Sequence, residues 1–538
     1  MKVYGHLVDI YNRDIYPASV QFQNGKILKS EKIPSAPGVF ILPGLIDSHI
    51  HIESSMVTPG AFAVSAVKHG TVGVVSDPHE IANVLGIDGI YFMIKDGSKV
   101  PLKFWFGAPS CVPATGFETN GAELNSGAVN DLLLLPEIKY LSEMMNFPGV
   151  INGDSEVLKK LNIARNLGKP VDGHAPGLSG EMLRKYVETG ITTDHECSTY
   201  QEAKEKISLG MKILIREGSA ARNLDALKEL IRTDPGAVML CSDDLHPEML
   251  LKGHINKLIA ILISEGYNAF DVIRSATINP VNHYKLDAGM LKQGDNADFI
   301  IVDSLQKMNV LETWINGKIV FSNGITHFKY KAGKPVNKFQ CSFVKDDEIR
   351  VLNKQGKIRV IEAFDGELFT KELISISIAG KYLEPDLNND VLKIVVKDRY
   401  NDSQPVTGFI KGFGLKSGAF ACSIAHDSHN IISIGTSDRD ITSAINEIIR
   451  LKGGLAVAYE GKVESTQLNI AGIMTTRSCE EISVEYERLN EKVKDLGCKM
   501  AAPFMTMSFM ALLVIPELKI GDKGLFNVSK FELTSLFV

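Results

Sequence analysis

Between residue 40 and about residue 294, short apolar runs alternate with longer stretches whose apolar residues recur at helical spacing. The runs are Ile41–Ile46, Thr71–Ser76, Lys103–Gly107, Lys139–Met145, Pro170–His174, Ile191–His195, Met211–Ile215 and Ala237–Cys241. Eight strands separated by helical stretches predict a closed (β/α)8 TIM-type barrel within an α/β chain. An open doubly wound sheet would need a Gly-rich phosphate fingerprint after its first strand, and the sequence has none.

The flanks have a different pattern. Residues 1–40 read as short strands with turns at Asn12-Arg13-Asp14 and Asn24-Gly25, and residues 295–340 read as further strands with Asn-Gly turns. Their likeness in character predicts one small β-sandwich built from both ends of the barrel segment, 1–40 with 295–340. This leaves 41–294 as the barrel. Residues 341–538 form a C-terminal α/β domain, with helices near Ile441–Lys452 and Glu480–Leu496.

A chain of 538 residues is too long for one core, in keeping with that division. The net charge of −6 gives no nucleic-acid surface, and no apolar run is long enough for a membrane span. The first 20 residues alternate like a strand and lack the features of a signal peptide. Seven scattered cysteines without a CxxC pair fit reduced thiols and a cytoplasmic location. A homodimer is the default expectation for the assembly.

The chemistry gathers where the runs end, the rim that carries active sites in such barrels. In Ile41–Met56, the extended alternation puts His49 and His51 on one face, with Asp47 and Glu53 on the same alternation. Two converging imidazoles suit a divalent metal. The later strand ends add Glu143, His174, His195 and Asp243. Each alone reads as an ordinary polar residue; together, at one end of one barrel, they predict a hydrolytic centre of two ions bridged by a carboxylate. Asp243 is placed to move the proton of an attacking water. His, Glu and Asp donors suit manganese, iron and zinc alike.

The segments PGLIDSHIHIESSMVTP, VVSDPHEIANVLG, APSCVPATGFETNGAEL, EMMNFPGVINGD, VDGHAPGLSG, TDHECST, IREGSAARNL and CSDDLHP resemble the amidohydrolase superfamily and, within it, the bacterial-type adenine deaminases. The likeness continues in GAFACSIAHDSHNIISIGTSD and PFMTMSFMALLVIPELKI, so it covers nearly the whole chain. It implies hydrolysis of adenine to hypoxanthine and ammonia, a purine-salvage reaction, with two divalent ions, manganese or iron foremost. Many members of the superfamily bridge their ions with a carboxylated lysine on the fourth strand; here Glu143 takes that place by resemblance.

Other residues carry two readings each. His79 and Glu80 are proton relays or purine contacts, or Glu80 is an acid in a first helical turn. Glu118 touches the purine or is a solvated loop carboxylate. Arg216, Glu217 and Ser219 line the pocket or form a structural ion pair. Asp244 points away from Asp243 if the strand continues. The segment Ala425–Asn430, with His426 and His429, closes over the active site or is a capped turn. The stripe from Phe504 to Met510 reads as core. A hydrolase of the same superfamily acting on a cyclic amide or imide is the rival activity. A barrel protein without catalysis is the rival of another class.

Overall fold

The computed structural model describes residues 1–376 and 380–538. Eight parallel strands close the barrel: Leu45–Ile50, Thr71–Ser76, Lys103–Ala108, Ile138–Met144, Val171–Gly173, Thr193–Asp194, Lys212–Arg216 and Val238–Cys241. Five pair in sequence order, as do the last three. The Thr192 N–H donates to Val171 O at 2.9 Å and joins the two sets. Ile50 bridges Asp243 in parallel to close the ring. That closure brings the end of the last strand against the end of the first.

The first barrel strand begins later than the hydrophobic pattern suggests. Phe40–Pro43 belongs to another sheet, where it pairs with Lys2–Asp9 on one side and Phe299–Val302 on the other. The chain crosses into the barrel at Gly44. A Cβ there would lie 2.2 Å from the Val72 side chain, so only glycine allows the crossing.

The flanking sheet has eight strands and draws on both chain segments around the barrel, 2–32 with 40–43 on one side and 299–326 on the other. It is hydrogen-bonded as a single sheet, not as two separate layers. It curls until Phe22 meets Phe299 and Trp314 at ring distances of 5.4 and 5.3 Å, which encloses a core as a sandwich does. Asn316-Gly317 and Asn323-Gly324 both take left-handed conformations, the geometry of a tight two-residue hairpin.

Beyond it, eight strands from Lys357 to Gln467 form a second large sheet. The helix Asp438–Leu451 packs on it through Ile441, Ile445 and Ile448, residues at one-face spacing. Ser437 caps that helix by accepting from the Asp440 N–H. The helix Cys479–Asp495 starts in a Ser478/Glu481 capping box and buries Ile482, Tyr486, Leu489 and Val493. A small three-stranded sheet, Leu518–Gly521, Gly524–Asn527 and Glu532–Thr534, ends the chain. No helix among the described residues is long and apolar enough to cross a membrane. The stripe from Phe504 to Met510 is buried as core, and Phe509 in addition faces the barrel mouth.

Lys519 ties this last sheet to the barrel mouth. It is fully buried, and its ammonium donates to Leu368 O at 2.6 Å and Phe509 O at 3.0 Å. Burial pushes its pKa down from 10.5 to about 7. Between those values the unfolded chain binds the extra proton and the folded chain does not. This group's share of stability therefore rises with pH across that window, by at most about 1.4 kcal/mol per pH unit, and is lost as pH falls toward 7. Urea midpoints measured from pH 7 to 9 are expected to climb less in Lys519→Met than in the parent. Equal slopes would show that Lys519 does not titrate in this range.

Candidate active site

At the C-terminal rim of the barrel, His49, His51, Glu143, His174, His195 and Asp243 converge and are all buried. His49 is the last residue but one of the first strand, with His51 just beyond its end, Glu143 lies in the fourth, and His174 and His195 directly follow the fifth and sixth. Asp243 lies beyond the eighth strand in a left-handed conformation. Its N–H donates to His49 O at 3.0 Å, and the His51 N–H donates to Asp243 O at 3.2 Å. Barrel closure thus sets these three residues by backbone bonds.

Glu143 stands at the centre. Its Oε1 lies 3.2 Å from His51 Nε2, 3.5 Å from His79 Nδ1 and 4.0 Å from His49 Nε2. Its Oε2 lies 2.7 Å from His174 Nδ1 and 3.2 Å from His195 Nε2. Asp243 Oδ1 lies 3.3 Å from His51 Nε2 and 3.5 Å from His49 Nε2. Burial opposes ionisation of Glu143, but His195, His174 and His51 outweigh it and hold the carboxyl well below its usual range. Burial lowers the pKa of His195, yet the carboxylates of Glu143, Asp243 and Glu196 raise it to about 9.

These donors fit divalent cations. The Nε2 atoms of His49 and His51 face each other at 3.2 Å. Two imidazole nitrogens so placed can share one proton at most, whereas nitrogens bound to one ion at about 2.0–2.1 Å sit about this far apart. Among the described residues, the buried His49 Nδ1 and His174 Nε2 have no hydrogen-bond partner. Candidate metal groups form from His49, His195 and Asp243, from His51, Asp77, His79 and Glu143, and from Glu143, His174 and His195.

Supporting residues hold the rim. Asp47 accepts from the Ser242 N–H at 3.1 Å and lies 2.8 Å from His254 Nε2, which fixes the approach to Asp243. Lys206, fully buried, donates to Asp194 Oδ2 at 2.9 Å and Ala175 O at 2.7 Å, locking the fifth and sixth strand ends together. Glu53 does not continue the alternation of His49 and His51. The chain turns into a 3-10 helix at Ile52–Ser55, and Glu53 instead accepts from the Ile81 N–H at 3.2 Å. Burial and the charge of Glu80 push its pKa up to about 8.

The secondary candidates separate. Arg216 donates to Asp243 Oδ2 at 2.8 Å and pairs with Glu196, so both a structural and a site reading meet in it. Ser219 does not line this cavity: its hydroxyl accepts from the His246 N–H at 2.9 Å and its N–H donates to Asp244 O. Asp244 does line it and accepts from Ser54 Oγ at 2.5 Å, because the strand has already ended at Cys241. Glu118 is buried rather than solvated, and lies outside the cavity wall. Burial, with Asp427 and Asp522, raises its pKa well above the usual range.

The C-terminal domain roofs the cavity with Leu368, His426, Asp427, Phe509 and Leu512. His426 and His429 flank Glu80: His426 Nδ1 lies 3.1 Å from Oε1 and His429 Nε2 lies 2.9 Å from Oε2. Burial opposes ionisation of Glu80, and the two imidazoles overcome it, holding the carboxyl well below its usual value. Asp427 Oδ1 reaches within 3.6 Å of His79 Nε2. Sequence reasoning missed Glu196, Asp427 and Asp77. Each adjoins or lies within two residues of a flagged histidine, which was the available signal.

Residues 40–320 match the amidohydrolase family and residues 367–532 match the adenine deaminase C-terminal domain. An adenine deaminase of Methanosarcina mazei is 50% identical over 100% of both chains, and one of Salinibacter ruber is 48% identical over 100% of this chain and 99% of its own. Among solved structures, a β-aspartyl dipeptidase of Fervidobacterium islandicum AW-1 is 17% identical over 61% of this chain and 99% of its own, with a TM-score of 0.47. The chain is a member of the amidohydrolase family, built on a TIM-type barrel with candidate divalent-metal ligands at its rim. Within that family it belongs to the adenine deaminases.

Proposed function

We propose that this chain hydrolyses adenine to hypoxanthine and ammonia at the barrel rim, in purine salvage, with two divalent ions held by His49, His51, His174, His195, Asp243 and a bridging Glu143. The observation that carries this reading is the arrangement around Glu143, whose two oxygens face two different sets of imidazoles. Bound there, two ions, manganese or iron foremost and zinc as a further candidate, supply Lewis acidity and draw the pKa of a water toward neutrality.

The protein's own groups then manage the protons. Water adds at C6 of the purine, and the C6–amino bond breaks. One proton of that water is taken up by Asp243 and passed to the leaving amino nitrogen, which departs as ammonia. The other ends on the ring nitrogen beside C6. Glu80 and His426, both on the cavity wall, stand to deliver it. Arg216 orients Asp243 through its Oδ2, and Asp427 orients His79. The apolar roof of Leu368, Phe509 and Leu512 keeps bulk water from the reacting atoms.

The direct test is ammonia release from adenine by manganese-loaded protein, beside hydantoin and dihydropyrimidine substrates. Ammonia from adenine and no ring opening of the cyclic amides is expected. Turnover of a cyclic amide without turnover of adenine would overturn the substrate while leaving the metal site in place.

A further inference from the structure

The cavity at the metal ligands has a volume of about 30 Å3, space for about two waters and far less than a purine base. A second cavity of about 340 Å3 lies against it, between the barrel rim and the end of the chain. Met145, itself buried, lines both. Two more segments run from one cavity wall to the other within two residues. His174 faces the first and Pro176 the second; Leu512 faces the first and Val514 the second. Phe147 and Phe531 add aromatic surface to the larger cavity, with Asn146, Asn152 and Ser529 as polar groups. Apolar walls with a few polar groups suit a flat heteroaromatic ring with apolar faces and a polar rim.

We propose that the larger cavity is a binding vestibule through which the purine base reaches the metal ligands, and that Met145 is the side chain that turns aside to admit it. This rests on adenine being the substrate. A methionine suits the task because it is unbranched and changes rotamer readily. The other shared walls follow the barrel backbone or the roof.

Ser529→Trp and Ala114→Phe would fill the vestibule without touching a metal ligand. Each is expected to lower kcat/KM for adenine at least about tenfold, with metal content and melting temperature as in the parent. The kcat/KM of both is expected to become sensitive to solvent viscosity. Values within twofold of the parent in fully metal-loaded variants would overturn the proposal. Should either variant fail to fold, S529C labelled with a bulky maleimide after folding gives the same reading. Adenine is expected to slow that labelling, and unchanged labelling with unchanged kcat/KM would overturn the proposal. Absence of ammonia from the parent itself would refute the substrate instead, so the two failures are distinguishable.

Discussion

Glu143→Gln protein prepared in manganese is expected to hold fewer than two ions per chain and to deaminate adenine about 10^3-fold more slowly, about 4 kcal/mol of lost transition-state stabilisation. The reason is the division of labour between the two oxygens. Oε1 serves His51 and His79, and Oε2 serves His174 and His195. An amide keeps the shape but replaces one oxygen with a donor that cannot ligate a cation. One side of the bridge is therefore lost whichever way the amide turns. Glu143→Asp keeps the charge and shortens the reach, so it separates the need for charge from the need for span. Metal analysis and ammonia assays on the same preparations decide the matter. Two ions per chain with activity within tenfold of the parent would show that Glu143 does not bridge.

Much of this site was legible because barrel topology turns strand ends into neighbours. His49, His174, His195 and Asp243 come from strand ends far apart in sequence, and only the closed ring brings them together. Reading the last residues of each apolar run therefore picked out residues that converge at the rim. Two things escaped that rule. The apolar run Phe40–Ile46 is continuous in sequence but serves two sheets, and Gly44 is where it divides. Hydropathy cannot show that break, since both halves are buried. Glu196 escaped because its role depends on Arg216, a partner on the next strand. The roof was visible only as a polar tip at Ala425–Asn430, read either as closing over the active site or as a capped turn. Nothing in its composition names Glu80 as its partner, a residue more than 340 positions earlier in the chain. Ser219 shows the opposite case, a polar residue at a strand end whose hydroxyl is spent on a backbone N–H.

Asp243→Asn is expected to lower kcat about 10^3- to 10^4-fold while KM for adenine changes by no more than about threefold. The substitution is mild for the backbone. The left-handed backbone at Asp243, with φ of 56°, is one that asparagine adopts readily. The two backbone bonds that tie this residue to His49 and His51 do not involve its side chain. The single amide oxygen can keep the bond from Arg216 or face His49 and His51, but not both. The amide cannot accept and return a proton. Because Asp243 also stands among the proposed metal ligands, metal content is measured on the same preparation, and the kinetic reading applies to protein that holds as much metal as the parent. A kcat that falls with KM and metal content intact identifies Asp243 as the proton carrier. A rise in KM at unchanged kcat would make it a binding group, and the proton would then have to travel by another carboxylate. Glu80 is the next candidate, because it is the ionised acid on the same cavity wall that already faces an imidazole on each oxygen. Rates measured for Asp243→Asn and Glu80→Gln singly and together would separate the two roles. Carriers acting in one relay give a double variant little slower than the worse single one, and independent carriers give the product of the two losses.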